Sequence, residues 1–234
     1  MTGTRLTLAK GYPYAIPRGS YLYRDGRQEA LGGFDPTSRI PVVAFGSNRS
    51  PEQLARKYRG WPNGTTIPVT TAWLEQYDVV YSAHFTSYGA MPAMLQPSRG
   101  VQVEVAITWL TPQQLIRMHE TEGPQNYRFE PLAKALITVD HVGQVRAVFA
   151  YLGRRGAFAP DGTAISLAAI PAVGRSGPVL DQTNALGRAR DRLAPDADLD
   201  PFLLQTIRCR ITRSSRNDRL GRLALSPQPL RDST

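Results

Sequence analysis

The sequence predicts an α+β fold, with antiparallel strands and helices interspersed rather than doubly wound. Three observations predict it. Tyr77, Val79, Tyr81, Ala83 and Phe85 recur at every second position, as do Val101, Val103, Val105, Ile107 and Trp109. That is the two-residue period of a strand with one apolar face. Two helix-start signals, Ser50-Pro51-Glu52-Gln53 and Thr111-Pro112-Gln113-Gln114, each follow a strand-like run, with Ser or Thr as N-cap, Pro at the first helical position and Gln at the third. Asp140-His141-Val142-Gly143 separates two apolar runs, 132–139 and 145–152, in the manner of a hairpin turn.

Taken in order, the chain divides into three sections. Residues 1–39 are rich in Gly, Pro, Tyr and Arg with weak periodicity, and read as an irregular N-terminal arm. Residues 40–152 hold the dense patterns and read as the core. Within them, 40–45 is a short apolar run ending at Gly46, the mark of a buried strand. The Ser50 box opens a helix over 51–58. The Thr111 box opens another that should end at Gly123, a natural residue for the position after a helix. Residues 153–234 read as an extension packing on the core, with helices over 183–193 and 202–210, the second behind Asp200 as N-cap. From about residue 211 the chain reads as a basic tail, where Arg213, Arg216, Arg219, Arg222 and Arg231 face only Asp218 and Asp232: a solvated end in the favoured reading, or a contact surface for an acidic partner.

Composition narrows the function classes. Of 234 residues, 41% are hydrophobic and 20% charged, which are globular values. No run approaches eighteen apolar residues, and no apolar stretch with a cleavage site opens the chain, so the expectation is a cytoplasmic protein without a membrane partner. Cys209 is the one cysteine, and His84, His119 and His141 stand at no ligand spacing, so neither a metal centre nor a cofactor is expected. The net charge of +9 would suit nucleic acid, but residues 41–150 hold nine Lys or Arg against eight Asp or Glu. The excess lies in the flanks, and no basic stripe interleaved with aromatics accompanies it, so a nucleic-acid role is the weakest reading. The oligomeric state stays open.

Two places carry chemistry. Phe45-Gly46-Ser47-Asn48 lies between a strand end and a helix start, where backbone N–H groups can hold an anion or a developing oxyanion. A plain structural turn fits the same pattern. Glu122 falls at i+7 from Leu115 and i+4 from Met118, on the face those residues would bury, and in the last helical turn. Burial and the helix dipole both disfavour an ionised carboxylate there, which suits a general base; a frayed, solvated glutamate fits as well.

Val43-Ala44-Phe45-Gly46-Ser47-Asn48 is similar to the tyrosine–glycine–serine–asparagine loop of the γ-glutamylcyclotransferase superfamily. The tract 107–127, with Leu115, Glu120-Thr121-Glu122-Gly123 and Tyr127-Arg128, resembles the same family's strand, helix, Glu-Gly and downstream tyrosine. The two motifs stand in the family's order, and the resemblance covers about half the chain. It implies a small mixed β-barrel with flanking helices and no cofactor. It implies an enzyme that cyclises a small-molecule γ-glutamyl substrate to 5-oxoproline. Carried over by position, Glu122 is the catalytic base, Phe45, Gly46, Ser47 and Asn48 form the substrate cradle, and Tyr127 is a substrate contact. The Ser87-Tyr88-Gly89 turn loosely matches the family's pocket edge. Three departures stand out: Phe45 replaces a tyrosine, Arg49 a leucine, and Met118-His119 a Leu-Asp pair. They leave open a non-catalytic binding or regulatory domain on the same scaffold. Arg49 could face a carboxylate-bearing ligand or lie solvated on the surface, His119 could touch Glu122 or only pack, and Cys209 reads as a small buried residue.

Overall fold

The computed structural model describes residues 2–61, 64–122, 126–132 and 135–226. The chain runs α1 (Thr2–Lys10), β1 (Tyr21–Arg24), β2 (Arg27–Ala30), β3 (Ile40–Ala44), α2 (Pro51–Lys57), β4 (Thr66–Tyr81), β5 (Ala93–Leu110), α3 (Pro112–Thr121) and β6 (Tyr127–Pro131). It continues with β7 (Ile137–Val139), β8 (Gly143–Val145), β9 (Phe149–Gly153), β10 (Ala157–Phe158), β11 (Ser166–Leu167), β12 (Ala172–Val173) and β13 (Val179–Leu180). The helices α4 (Gln182–Leu193), α5 (Leu199–Arg208) and α6 (Arg210–Gly221) follow, then β14 (Ala224–Leu225). The fold is α+β, with a twelve-stranded mixed sheet as its frame.

The sheet follows the path β13-β11-β4-β5-β3-β9-β6, with β1, β7 and β12 joined alongside. Its spine is the antiparallel pair β4–β5, from Val69↔Thr108 to Tyr81↔Ala93. β3 runs antiparallel to β5 and parallel to β9, and β9 pairs antiparallel with β6. Among the described residues this path is open, with β13 and β6 at its ends, and no closed barrel is formed.

Strand alternation distributes the apolar side chains to two faces. On β3, Val43 and the following Phe45 enter one cluster with Val105, Ile107, Tyr81, Leu186 and Phe202, so α4 and α5 cover that face. Val42 and Ala44 point the other way, to Leu54, Tyr58, Leu110 and Met118, under α2 and α3. The site lies where β3 ends between these layers.

Several sequence expectations change. Residues 1–39 are not an irregular arm: they contain α1 and the β1–β2 hairpin, and β1 pairs with β4. Of the strand expected over 77–85 only 77–81 is extended, as the end of β4, and Ala83 and Phe85 follow in the loop. The strand expected over 101–109 is the second half of β5, and the long pair is interrupted in pattern by Pro68, Pro97 and a register shift between Glu75 and Tyr77, where Gln76 takes φ 64. The expected hairpin turns at Asp140-His141-Val142-Gly143, but its return strand stops at Val145, and β9 leaves to pair with β3 and β6. The Thr111 capping box is complete. The Ser50 one is not: Ser50 sits at the N-cap without a side-chain bond, and its hydroxyl is buried without a partner. α5 is capped at Asp198 rather than Asp200. The expected solvated tail is α6, a twelve-residue helix. Gly123 lies outside the described residues, as do Arg231 and Asp232.

Candidate active site

The end of β3 delivers Phe45 and Gly46, and a single 3-10 turn over Ser47–Arg49 follows before α2. The close approach of Tyr12 requires glycine at position 46. A Cβ there would collide with the Tyr12 hydroxyl and crowd Ala93 Cβ at 3.1 Å. Its φ of −133 is ordinary, so space and not backbone strain excludes a side chain. The Tyr12 hydroxyl accepts the Ala93 N–H at 2.8 Å.

Glu122 is the C-cap of α3, in extended conformation (φ −85, ψ 139), so its side chain leaves the helix axis. Its Oε1 accepts hydrogen bonds from Asn48 Nδ2 at 2.8 Å and from Lys57 Nζ at 2.7 Å. Lys57, the last residue of α2, is buried and also reaches Thr121 Oγ1 at 3.2 Å. The Glu122 side chain is partly buried, 14% exposed, and lies in an ion pair that the sequence did not reveal.

Phe45, Gly46, Ser47, Asn48, Glu122 and Tyr127 all line one cavity of about 530 Å³. Ser87 and Tyr88 line it too, with Gly89 at φ 87 closing their turn. Sequence reasoning missed Tyr12, Lys57, His84, Tyr151 and Arg155, and the α6 residues Arg210, Arg213, Ser214 and Asn217, all of which also line it. The α6 set could have been found, since those four positions stand at i, i+3, i+4 and i+7 of one helix face.

Electrostatics sort these groups. Burial pushes the hydroxyls of Tyr12, Tyr127 and Tyr151 above the ordinary phenol range, with Glu122 adding to each. They are protonated donors near neutrality. Burial, helped by Arg155, pushes His84 down to about 3, so its imidazole is neutral, with Nδ1 3.0 Å from Ser82 Oγ. Among the described residues that line it Glu122 is the one acid, against Lys57, Arg155, Arg210 and Arg213.

The remaining candidates fall elsewhere. Arg49 is neither on the surface nor at the cavity: it is 3% exposed and paired with Glu104, whose backbone oxygen it also reaches at 3.1 Å. His119 does not meet Glu122; its Nδ1 lies 2.8 Å from the Tyr151 hydroxyl and its ring packs edge-on to Phe129. Cys209 is half-buried and caps α6, its sulfur accepting the Thr212 N–H at 3.5 Å. Among the described residues no cluster of three or more His, Cys, Asp or Glu could hold a metal, and no helix is long and apolar enough to cross a membrane.

No family model and no curated protein matches the sequence. Among solved structures, the chain is similar to the solution structure of At5g39720.1 from Arabidopsis thaliana, at 16% identity and a TM-score of 0.38, over 51% of this chain and 72% of that one. It is also similar to the crystal structure of uncharacterized protein PH0828 from Pyrococcus horikoshii, at 14% identity and a TM-score of 0.33, over 49% of this chain and 77% of that one. Neither likeness carries an activity to this chain.

Proposed function

We propose that this chain is a γ-glutamylcyclotransferase-like enzyme that releases 5-oxoproline from a γ-glutamyl amide or peptide, on a barrel-related core with flanking helices. The observation that most supports the reading is the Asn48–Glu122 hydrogen bond of 2.8 Å, across 74 residues, which joins the two motifs of the resemblance at one cavity.

In this reading the substrate's α-ammonium gives a proton to Glu122, whose Oε1 is held by Lys57 and Asn48 while Oε2 takes the proton. The neutral amine attacks the γ-carbonyl carbon, closing a five-membered ring, and the γ C–N bond then breaks. Glu122 passes that proton to the leaving nitrogen, and the ring nitrogen then gives up its second proton through Glu122 to the released amine, which departs as an ammonium, so atoms and charge balance without water. Ring closure is intramolecular, and the cavity's part is to hold the chain bent. Backbone N–H groups of the Gly46–Asn48 turn and the protonated Tyr127 phenol are the donors assigned to the developing oxyanion.

The Lys57–Glu122 pair favours a second reading as well. A carboxylate held by an ammonium and an amide is suited to fixing a ligand's amine without moving a proton, as in a binding domain on the same scaffold. A panel of γ-glutamyl amides read by mass spectrometry separates the two. Release of 5-oxoproline, absent with Glu122→Gln and blocked by acylating the substrate's α-amine, supports the enzyme. If no member reacts yet one raises the melting temperature, the binding domain stands.

A further inference from the structure

We propose that α6 builds a second subsite in this cavity for a dianionic group at the far end of the ligand, a phosphate monoester or a dicarboxylate. Only the identity of the ligand's other half rests on the cyclotransferase reading.

The first observation is charge. Lys57 and Glu122 neutralise each other, and among the described residues the other charged ones lining the cavity are Arg155, Arg210 and Arg213. Like charges gathered in a concave wall focus a positive potential that attracts an anion. Guanidinium donors match two oxygens of a carboxylate or phosphate at once, and three of them exceed what one carboxylate needs.

The second observation is that this wall is built. The Asn217 amide accepts the Phe85 N–H at 2.7 Å and donates to the Phe85 carbonyl at 3.2 Å, fastening α6 to the loop that carries His84 and Ser87. Arg216 is buried over the Phe202 ring at 3.8 Å and donates to the Phe202 carbonyl at 2.7 Å, fastening α6 to α5. Arg213 commits Nη1 to the Thr206 and Ile207 carbonyls at 3.0 and 3.3 Å, and Arg155 commits Nε to Asn126 Oδ1 at 2.9 Å. Each guanidinium is thus oriented by one edge and keeps further donors for a ligand. Arg210 stands at the exposed rim, where an arriving anion meets it first. The third observation is room: about 530 Å³ accommodates much more than a γ-glutamyl group.

The test uses the full chain carrying Glu122→Gln, so that no ligand is consumed. Calorimetric titration compares a γ-glutamyl alkylamide with γ-glutamyl-aspartate and with a γ-glutamyl aminoalkyl phosphate. At least one dianionic compound should bind about tenfold more tightly than the neutral one, and R210Q/R213Q should erase that margin. Which of the two binds better identifies the dianion. R210Q alone, at an exposed position, serves if the double variant does not fold. Equal affinities, or a margin that survives the substitutions, would overturn the subsite. Inorganic phosphate and succinate are titrated in parallel by melting temperature. If no γ-glutamyl compound binds, yet either anion stabilises the parent and not R210Q, the subsite stands and the cyclotransferase reading falls. If neither anion has an effect and no γ-glutamyl compound binds, the subsite falls too.

Discussion

Lys57 Nζ lies 2.7 Å from Glu122 Oε1, and the two side chains are only 6% and 14% exposed, so α2 and α3 are joined at their C-terminal ends by a buried ion pair. Removing one partner leaves the other charge without compensation. Lys57→Met should cost about 3 kcal/mol. Glu122→Gln should cost less, about 1–2 kcal/mol, because its amide oxygen can still accept from Lys57. In chemical denaturation the double variant should be more stable than the sum of the two losses implies, and strict additivity would show that the pair is not coupled.

The contact between Tyr12 and Gly46 makes a paired prediction. Gly46→Ala should destabilise by about 1–3 kcal/mol, since its Cβ meets the Tyr12 hydroxyl. Tyr12→Phe alone should cost about 1–2 kcal/mol by orphaning the buried Ala93 N–H. Combined, the two substitutions should cost less than their sum, because deleting the hydroxyl makes room for the methyl. A melt of the double variant no better than additive would place the collision elsewhere.

His84 makes stability depend on pH. Burial depresses its folded-state value to about 3, below the unfolded value of 6.5, so the unfolded chain binds the extra proton between those values. Its contribution is fully present above pH 6.5 and is lost as pH falls toward 3, approaching about 5 kcal/mol in the limit. Urea titrations at stepped pH should show this slope, and His84→Asn should flatten it. An imidazole resonance that titrates near 6.5 in the folded protein would refute the assignment.

Truncation after Arg210 should not remove a dispensable tail. It deletes Asn217, whose amide satisfies both backbone groups of Phe85, and Arg216, which holds the Phe202 carbonyl. The shortened chain should melt at least several degrees lower, a change equivalent to about 2 kcal/mol or more. Arg216→Met should reproduce part of this loss. An unchanged melting temperature would mean that α6 contributes nothing to the folded core.

The local signals in the sequence were legible where one residue type answers one backbone need. Thr111-Pro112 with Gln114 marks a helix start in any context, and the structure completes that box. The same motif at Ser50 did not complete: the Gln53 N–H bonds the Ser50 carbonyl at 3.1 Å instead of its hydroxyl, and the Gln53 residue lines the cavity. The meeting of Asn48 with Glu122 was reachable only through resemblance, since no periodicity links positions 74 apart. Lys57 was hidden for a related reason: on a short helix a lysine reads as solvated, and only α3 packing beside α2 buries it. α6 was missed because arginine density was read as solvation. One apolar anchor, Leu220, with Arg216 flattened over Phe202, suffices to seat that helix.

The cavity draws its walls from both extremities of the chain. Tyr12 closes over Gly46 from the amino-terminal side, Lys10 pairs with Asp200, and Asn217 grips Phe85 across 132 residues. Contacts of such separation form late, after loop-closure entropy has been overcome. During synthesis the sheet's central strands can pair while the carboxyl-terminal helices are still inside the ribosome, but the cavity cannot. Nascent chains arrested before residue 217 should therefore be protease-resistant across β4 and β5 while Phe85 and its loop remain open to cleavage. Ligand capture begins only after α6 has emerged and docked.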